Sequence, residues 1–165
     1  MGRSSLLCAT LSFATLASST GAFRKTGLAG GYPRGVQRSD DWLNQAKRDL
    51  EHARNDVQHE FFEWAGFSAQ QAAEKAVKAV FQAMSAEARG HAVTELLTAL
   101  GASHSVSADL VDGARELDLA YIPTRYPDAF PSGAPTDFYT HAQAQRLIEH
   151  ADRIVRFCQD LLARP

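Results

Sequence analysis

Phe61-Phe62-Glu63-Trp64-Ala65-Gly66-Phe67-Ser68-Ala69-Gln70-Gln71-Ala72-Ala73-Glu74-Lys75-Ala76-Val77-Lys78-Ala79-Val80-Phe81-Gln82-Ala83-Met84 is the stretch whose periodicity decides the fold. Phe62, Ala65, Ala69, Ala72, Ala73, Ala76, Val80 and Met84 recur at three- and four-residue steps, the repeat of an amphipathic helix. Ala is the strongest helix former, and no Pro or Gly interrupts the run after Gly66. The helix closes near Arg89-Gly90, where a glycine is a natural C-terminal stop. Its small alanines let neighbouring helices come close, which places it centrally. It also carries a polar cluster. Gln70, Glu74 and Lys78 stack four apart, and Gln71 and Lys75 form the adjacent row. The spacing alone describes a solvated charged face with one Glu-to-Lys pair, worth roughly 0.2–0.5 kcal/mol.

Working outward, Asp40 or Asp41 is placed to cap a first helix, in which Leu43, Ala46, Leu50, Ala53 and Val57 share a face to about His59. His91 to Leu100 reads as a short helix with Val93, Leu96, Leu97 and Leu100 inward, His91 capping or orienting it and Gly101 closing it. Ser107 caps a fourth helix carrying Leu110, Val111, Ala114, Leu117 and Tyr121, which Pro123 ends. Thr140 caps the last, where Ala144, Leu147, Ile148, Ala151, Ile154, Val155, Cys158, Leu161 and Leu162 draw a nearly unbroken stripe. No segment alternates with period two over any useful length. The expected fold is all-α, an up-down bundle of about five helices over residues 40–165 with short connections.

One loop differs from the rest. Residues 121–135 hold four of the six prolines and three aromatics, Tyr121, Tyr126 and Phe130. Prolines fix the backbone, so this loop presents Arg125 and Asp128 in a set geometry.

A chain of 165 residues supports one domain with a core that needs neither disulfide nor metal. Cys8 and Cys158 form no ligand or disulfide pattern, and Cys158 falls on an apolar stripe as inert packing. From Asp40 onward there are twelve basic against nineteen acidic residues, a balance of −7. Such a body lacks the general electrostatic footprint of a non-specific nucleic-acid binder, and no DNA partner is expected, so any phosphate site is a local basic pocket. The six histidines form no metal set, and no Gly-rich phosphate loop or nucleophile elbow is present. No metal or cofactor is called for.

Residues 1–39 read separately. Up to Arg38 there is no acid, eight Ser or Thr fall in the first twenty residues, and Leu6 to Leu16 is apolar but too short for a membrane span. The segment fits an export signal, an organelle transit peptide, the first part of a bipartite signal, or upstream sequence outside the true reading frame. Gly27, Gly30, Gly31, Pro33 and Gly35 make a linker, and the whole segment is expected to be poorly ordered.

Three pieces in order resemble the HEPN domain family of small helical bundles. Gln70-Gln71-Ala72-Ala73-Glu74-Lys75-Ala76-Val77-Lys78-Ala79 is similar to its second-helix signature. His91-Ala92-Val93-Thr94-Glu95-Leu96-Leu97 is similar to its short third helix. Tyr121-Ile122-Pro123-Thr124-Arg125-Tyr126-Pro127-Asp128, with Tyr139-Thr140 before the final helix, is the most specific. The resemblance covers Asp40 to Ala163. It implies nucleotide binding, a homodimer and a cytoplasmic location, unless the leader is genuine and directs the chain to an organelle or to export. It also implies, for some members, a minimal nucleotidyltransferase partner in a toxin–antitoxin pair. The toxin branch implies a metal-independent ribonuclease built on Arg, four to six residues, then His. This chain departs from that motif, because Phe130, Pro131 and Ser132 stand where the His would follow Arg125. Arg54 and His59 have the spacing, but at the end of the first helix, and read as a chance match.

The expected chemistry is therefore anion recognition. Lys75, Lys78 and Arg125 supply donors, Tyr121 or Tyr126 stacks on a base, and Asp128 orients Arg125 or accepts from a ribose hydroxyl. The structural alternatives are an Arg125–Asp128 loop bridge and a buried polar tie through Glu74 and Lys75. The rival functions are a ribonuclease drawing its base from His59 or His141, and a scaffolding dimer without ligand.

Overall fold

The computed structural model describes residues 38–163; the leader and its linker lie outside them, apart from Arg38 and Ser39. Five helices follow one another: α1 (Ser39–Gln58), α2 (Phe62–Ala83), α3 (Val93–Leu100), α4 (Ala108–Ala120) and α5 (His141–Leu162). No strand occurs among the described residues. The all-α expectation holds, and α2 is the centre, packing against each of the other four helices. No described helix is long and apolar enough to cross a membrane.

The apolar stripes read from the sequence form the core. Leu43, Ala46, Leu50 and Ala53 of α1 and Ala144, Leu147, Ile148, Ala151, Ile154, Val155 and Cys158 of α5 are buried. Burial pushes the Cys158 thiol up to about 12, which leaves it an inert packing group. Two glycines mark the closest approaches. A Cβ on Gly66 would stand 3.1 Å from Leu147 Cδ1 and 3.3 Å from Thr124 Cγ2, so α2 meets both α5 and the loop there. A Cβ on Gly113 would stand 2.8 Å from His150 Nδ1, which fixes the α4–α5 contact.

Several helix ends differ from expectation. Asp40 and Asp41 occupy the first turn of α1 rather than its cap, where carboxylates favour the positive end of the helix dipole. The cap position is Arg38, and Arg38 Nε donates to Asp41 Oδ2 at 2.8 Å. Helix α2 stops at Ala83, not near Arg89-Gly90. Ser85 turns into the left-handed region (φ 53°), Ala86 N donates to Phe81 O at 2.9 Å and Ser85 N to Gln82 O at 3.0 Å. That is the Schellman pattern. Helix α1 ends the same way, with Glu60 at φ 64°, Phe61 N donating to Asp56 O and Glu60 N to Val57 O. No glycine announces either stop, so the sequence hides both. An L-residue in this conformation costs about 1 kcal/mol. The double substitution Glu60→Gly/Ser85→Gly is expected to raise stability by about 1 kcal/mol in urea unfolding. A loss of stability would show that the two side chains contribute more than the strain costs.

Helix α3 is capped from α4, not by His91. Asp118 takes Val93 N on Oδ1 at 2.7 Å and Thr94 N on Oδ2 at 2.9 Å. Ser107 holds the N-cap position of α4 without a side-chain cap bond. Thr140 caps α5 as expected: Gln143 N donates to its Oγ1 and Thr140 N donates to Gln143 Oε1.

Candidate functional site

The polar cluster of α2 is not a solvated face. Glu74 is 4 % exposed and Gln70 fully buried, because α2 is surrounded by the other helices. Lys78 Nζ donates to Glu74 Oε1 at 2.8 Å, Gln71 Nε2 reaches Oε2 at 3.2 Å, and His91 Nδ1 lies 3.1 and 3.3 Å from the two carboxylate oxygens. Gln70 Nε2 donates to His91 O at 2.8 Å, which anchors the start of the α3 segment to α2. A buried carboxylate with this many donors is satisfied rather than orphaned.

Lys75 faces the other way. Its Nζ pairs with Asp49 of α1 and also reaches Gln71 Oε1 at 3.3 Å. Beyond it a groove of about 550 Å³ opens between Trp42, Gln45 and Arg48 of α1 and Lys75 of α2. Lys78 stands between the two regions, its Nζ 6.0 Å from the Trp42 ring centre.

On the far side of Glu74 the network passes into rings. His91, its side chain 61 % exposed, stacks on Tyr121 at 5.4 Å with the planes 17° apart. Tyr121 stacks in turn against Phe67 at 6.2 Å, and Trp64 meets Phe67 edge-on at 6.2 Å. Arg125 lies across this face, its Cζ 4.5 Å from the Phe67 centre, 4.6 Å from Tyr121 and 5.1 Å from Tyr126. Cation–π contact holds the guanidinium plane, and Arg125 Nε donates to Tyr121 O at 3.0 Å. Thr124, buried and donating to Ala120 O at 2.6 Å, fixes the turn that delivers Arg125.

Arg125 makes no ion pair among the described residues, and the exposed Asp128 makes neither ion pair nor hydrogen bond there. The Arg125–Asp128 bridge does not form. The fold thus joins Lys78, Tyr121, Arg125 and Tyr126 through Glu74 and His91, while Lys75 opens on the α1 groove and Asp128 stands apart. Sequence reasoning missed His91 and Phe67 as members of this face. Seventeen residues separate Glu74 from His91, and no local pattern links them.

The other candidate groups are engaged elsewhere in the fold. Arg54 is engaged by Asp152 of α5 at 2.8 Å, and His59 Nδ1 lies 2.8 Å from Asn55 O in its own helix. His141 meets Phe62 edge to face, and His150 packs with only 14 % of its side chain exposed. Ser68, His52 and Asp56 cluster like a nucleophilic triad, but His52 turns the same nitrogen to both, 3.0 Å to Ser68 Oγ and 3.2 Å to Asp56 Oδ2. A relay needs the two ring nitrogens to serve different partners. Burial pushes the Asp56 carboxyl above its usual range, as befits a structural tie. No group of three or more His, Cys, Asp or Glu among the described residues is placed to hold a metal.

The chain matches the model of the HEPN domain over residues 39–161. Its structure is similar to that of TT1696 from Thermus thermophilus, with 41 % identity, 76 % of this chain and 98 % of that one covered, and a TM-score of 0.74. An HEPN domain protein (TM0613) from Thermotoga maritima shares 48 % identity over 76 % of this chain and 99 % of its own, at a TM-score of 0.64. ST0689, an archaeal HEPN homologue, shares 39 % over 76 % and 98 %, at 0.65. No curated protein matches.

Proposed function

The chain belongs to the HEPN domain family, and on that footing we propose that it is a dimeric binding domain, holding a nucleotide or phosphorylated ligand at Arg125 rather than cutting RNA. The observation that carries this reading is the state of Arg125. Lys75 and Lys78 spend their charge on Asp49 and Glu74, whereas Arg125 keeps four of its five N–H donors beside the half-buried rings of Phe67 and Tyr121 and the exposed ring of Tyr126. A planar fork held on aromatic faces suits a phosphate, and Tyr126, 49 % exposed, offers a ring to a base.

Isothermal titration with ATP and GTP tests it. Arg125→Ala is expected to weaken binding about 10- to 100-fold, the scale of one or two charge-assisted hydrogen bonds. Lys75→Ala should change it far less. No heat at millimolar nucleotide, or unchanged binding in Arg125→Ala, overturns the reading.

The dimer has its own support. Trp64, Ile122 and Tyr126 are each about half exposed, and the linked rings from Trp64 to Tyr126 make one apolar face. Light scattering is expected to give twice the 18.0 kDa chain mass, and Trp64→Glu to return the monomer. A site at Arg125 then lies at the seam between copies. A minimal nucleotidyltransferase is the protein partner this reading admits, with co-purification as its check. The ribonuclease reading keeps one support, the His91–Glu74 pair beside Arg125. RNA cleavage in chelator, lost on His91→Ala, would favour it.

A further inference from the structure

His91 and Arg125 both contact one ring, that of Tyr121. The imidazole centre is 5.4 Å and the guanidinium carbon 4.6 Å from the centre of Tyr121, so the two are no more than about 10 Å apart. That gap is within reach of one phosphate group or two. The imidazole is exposed, and its orientation is set from beneath by Glu74, which Lys78 and Gln71 hold in turn.

The bond to Glu74 also decides what His91 can offer a ligand. An ionised carboxylate only accepts, so Nδ1 must carry a proton to bond it. In the neutral ring Nε2 then has a lone pair and no hydrogen, and it repels a phosphate oxygen. A second proton turns Nε2 into a donor. The charged groups tied to the ring or to its neighbours by these contacts are Glu74 and Lys78 of α2, Asp118 at the α3 cap and Arg125 of the loop, with the Tyr121 phenol as the other titratable group. Glu87 and Arg89, in the same connection as His91, pair with each other. Glu74 and Lys78 offset one another and Asp118 turns both carboxylate oxygens to the backbone of α3, so a second proton on His91 adds one positive charge to that of Arg125 on this face.

We propose that His91 is the proton-dependent second prong of the Arg125 site, so that the site selects a terminal phosphomonoester dianion over a phosphodiester monoanion and takes up one proton on binding it. The proposal rests on ligand binding at Arg125. A dianion balances Arg125 and imidazolium together. A monoanion is balanced by Arg125 alone and gains nothing from the second proton.

AMP and 3′,5′-cyclic AMP test this, since they share a nucleoside and differ in phosphate charge. Titrations between pH 7 and 8, where AMP stays a dianion because its second ionisation lies near pH 6, are run in two buffers of different ionisation enthalpy. A group whose pKa rises on binding favours the complex at low pH, and that advantage fades as pH climbs. AMP affinity should therefore fall as pH climbs across that unit, by up to about tenfold, with net proton uptake of at most one. Cyclic AMP should bind at least tenfold more weakly at pH 7 and show no pH trend. His91→Gln supplies a permanent donor at this exposed position, and is expected to bind AMP with a flat pH profile. Equal affinity for the two nucleotides, or proton uptake that survives in His91→Gln, overturns the proposal and leaves binding at Arg125 standing. Absence of binding by either nucleotide at any pH overturns both.

Discussion

Glu74→Ala is expected to cost about 3–5 kcal/mol, the scale for breaking a buried charge pair from one side. The carboxylate is 5 % exposed and Lys78 14 %, so removing the acid leaves an ammonium with little water and no counter-charge. Lys78 has a long stem and can swing outward past Trp42, which places the effect at the lower end of that range. The same change takes away the hydrogen bond that orients the His91 ring and leaves it only stacked on Tyr121 among the described residues. Urea unfolding of the variant, compared with Glu74→Gln, reads both shape and charge. The amide keeps the packing and one acceptor, and should cost about half as much. A Glu74→Ala variant within 0.5 kcal/mol of the parent, the usual scatter of surface substitutions, would mean that the cluster behaves as a solvated face after all.

The second large effect is Leu97→Ala. Leu97 is fully buried on a helix of eight residues, which cannot hold its shape in water unaided. Truncation removes the buried methyls and leaves a cavity, for a loss of about 3–5 kcal/mol and a fall in melting temperature of about 10 °C or more. Because Asp118 ties the first turn of α3 to α4, the loss should propagate to both helices. Hydrogen exchange in Leu97→Ala is expected to quicken at α3 and α4 together while the α1–α2 pair stays protected. Uniform quickening throughout would show one cooperative unit instead.

The two expectations divide along a line that also runs through the reading of the chain. The pattern Val93, Leu96, Leu97 and Leu100 is enough by itself to place Leu97 in the core, where it lies fully buried. Helical periodicity is a local property, since residues three and four apart share a face whatever else the chain does. The same logic carried α1, α4 and α5. It faltered at the ends of α1 and α2, where Glu60 and Ser85 take a conformation that a glycine would have advertised.

Glu74 marks the other side of the line. Its spacing from Gln70 and Lys78 is that of any charged helix row, and a one-dimensional pattern holds no information about which rows are covered. Packing four helices around α2 buried that row, and the connection to α3 then brought His91 down on it. The composition by itself determined that a single acidic helical body would confine any anion site to a small patch. Which cation is left free to serve that patch was decided only by tertiary structure. An ion pair forms where a partner comes within reach, and Asp49 and Glu74 reached Lys75 and Lys78, while no carboxylate among the described residues reached Arg125.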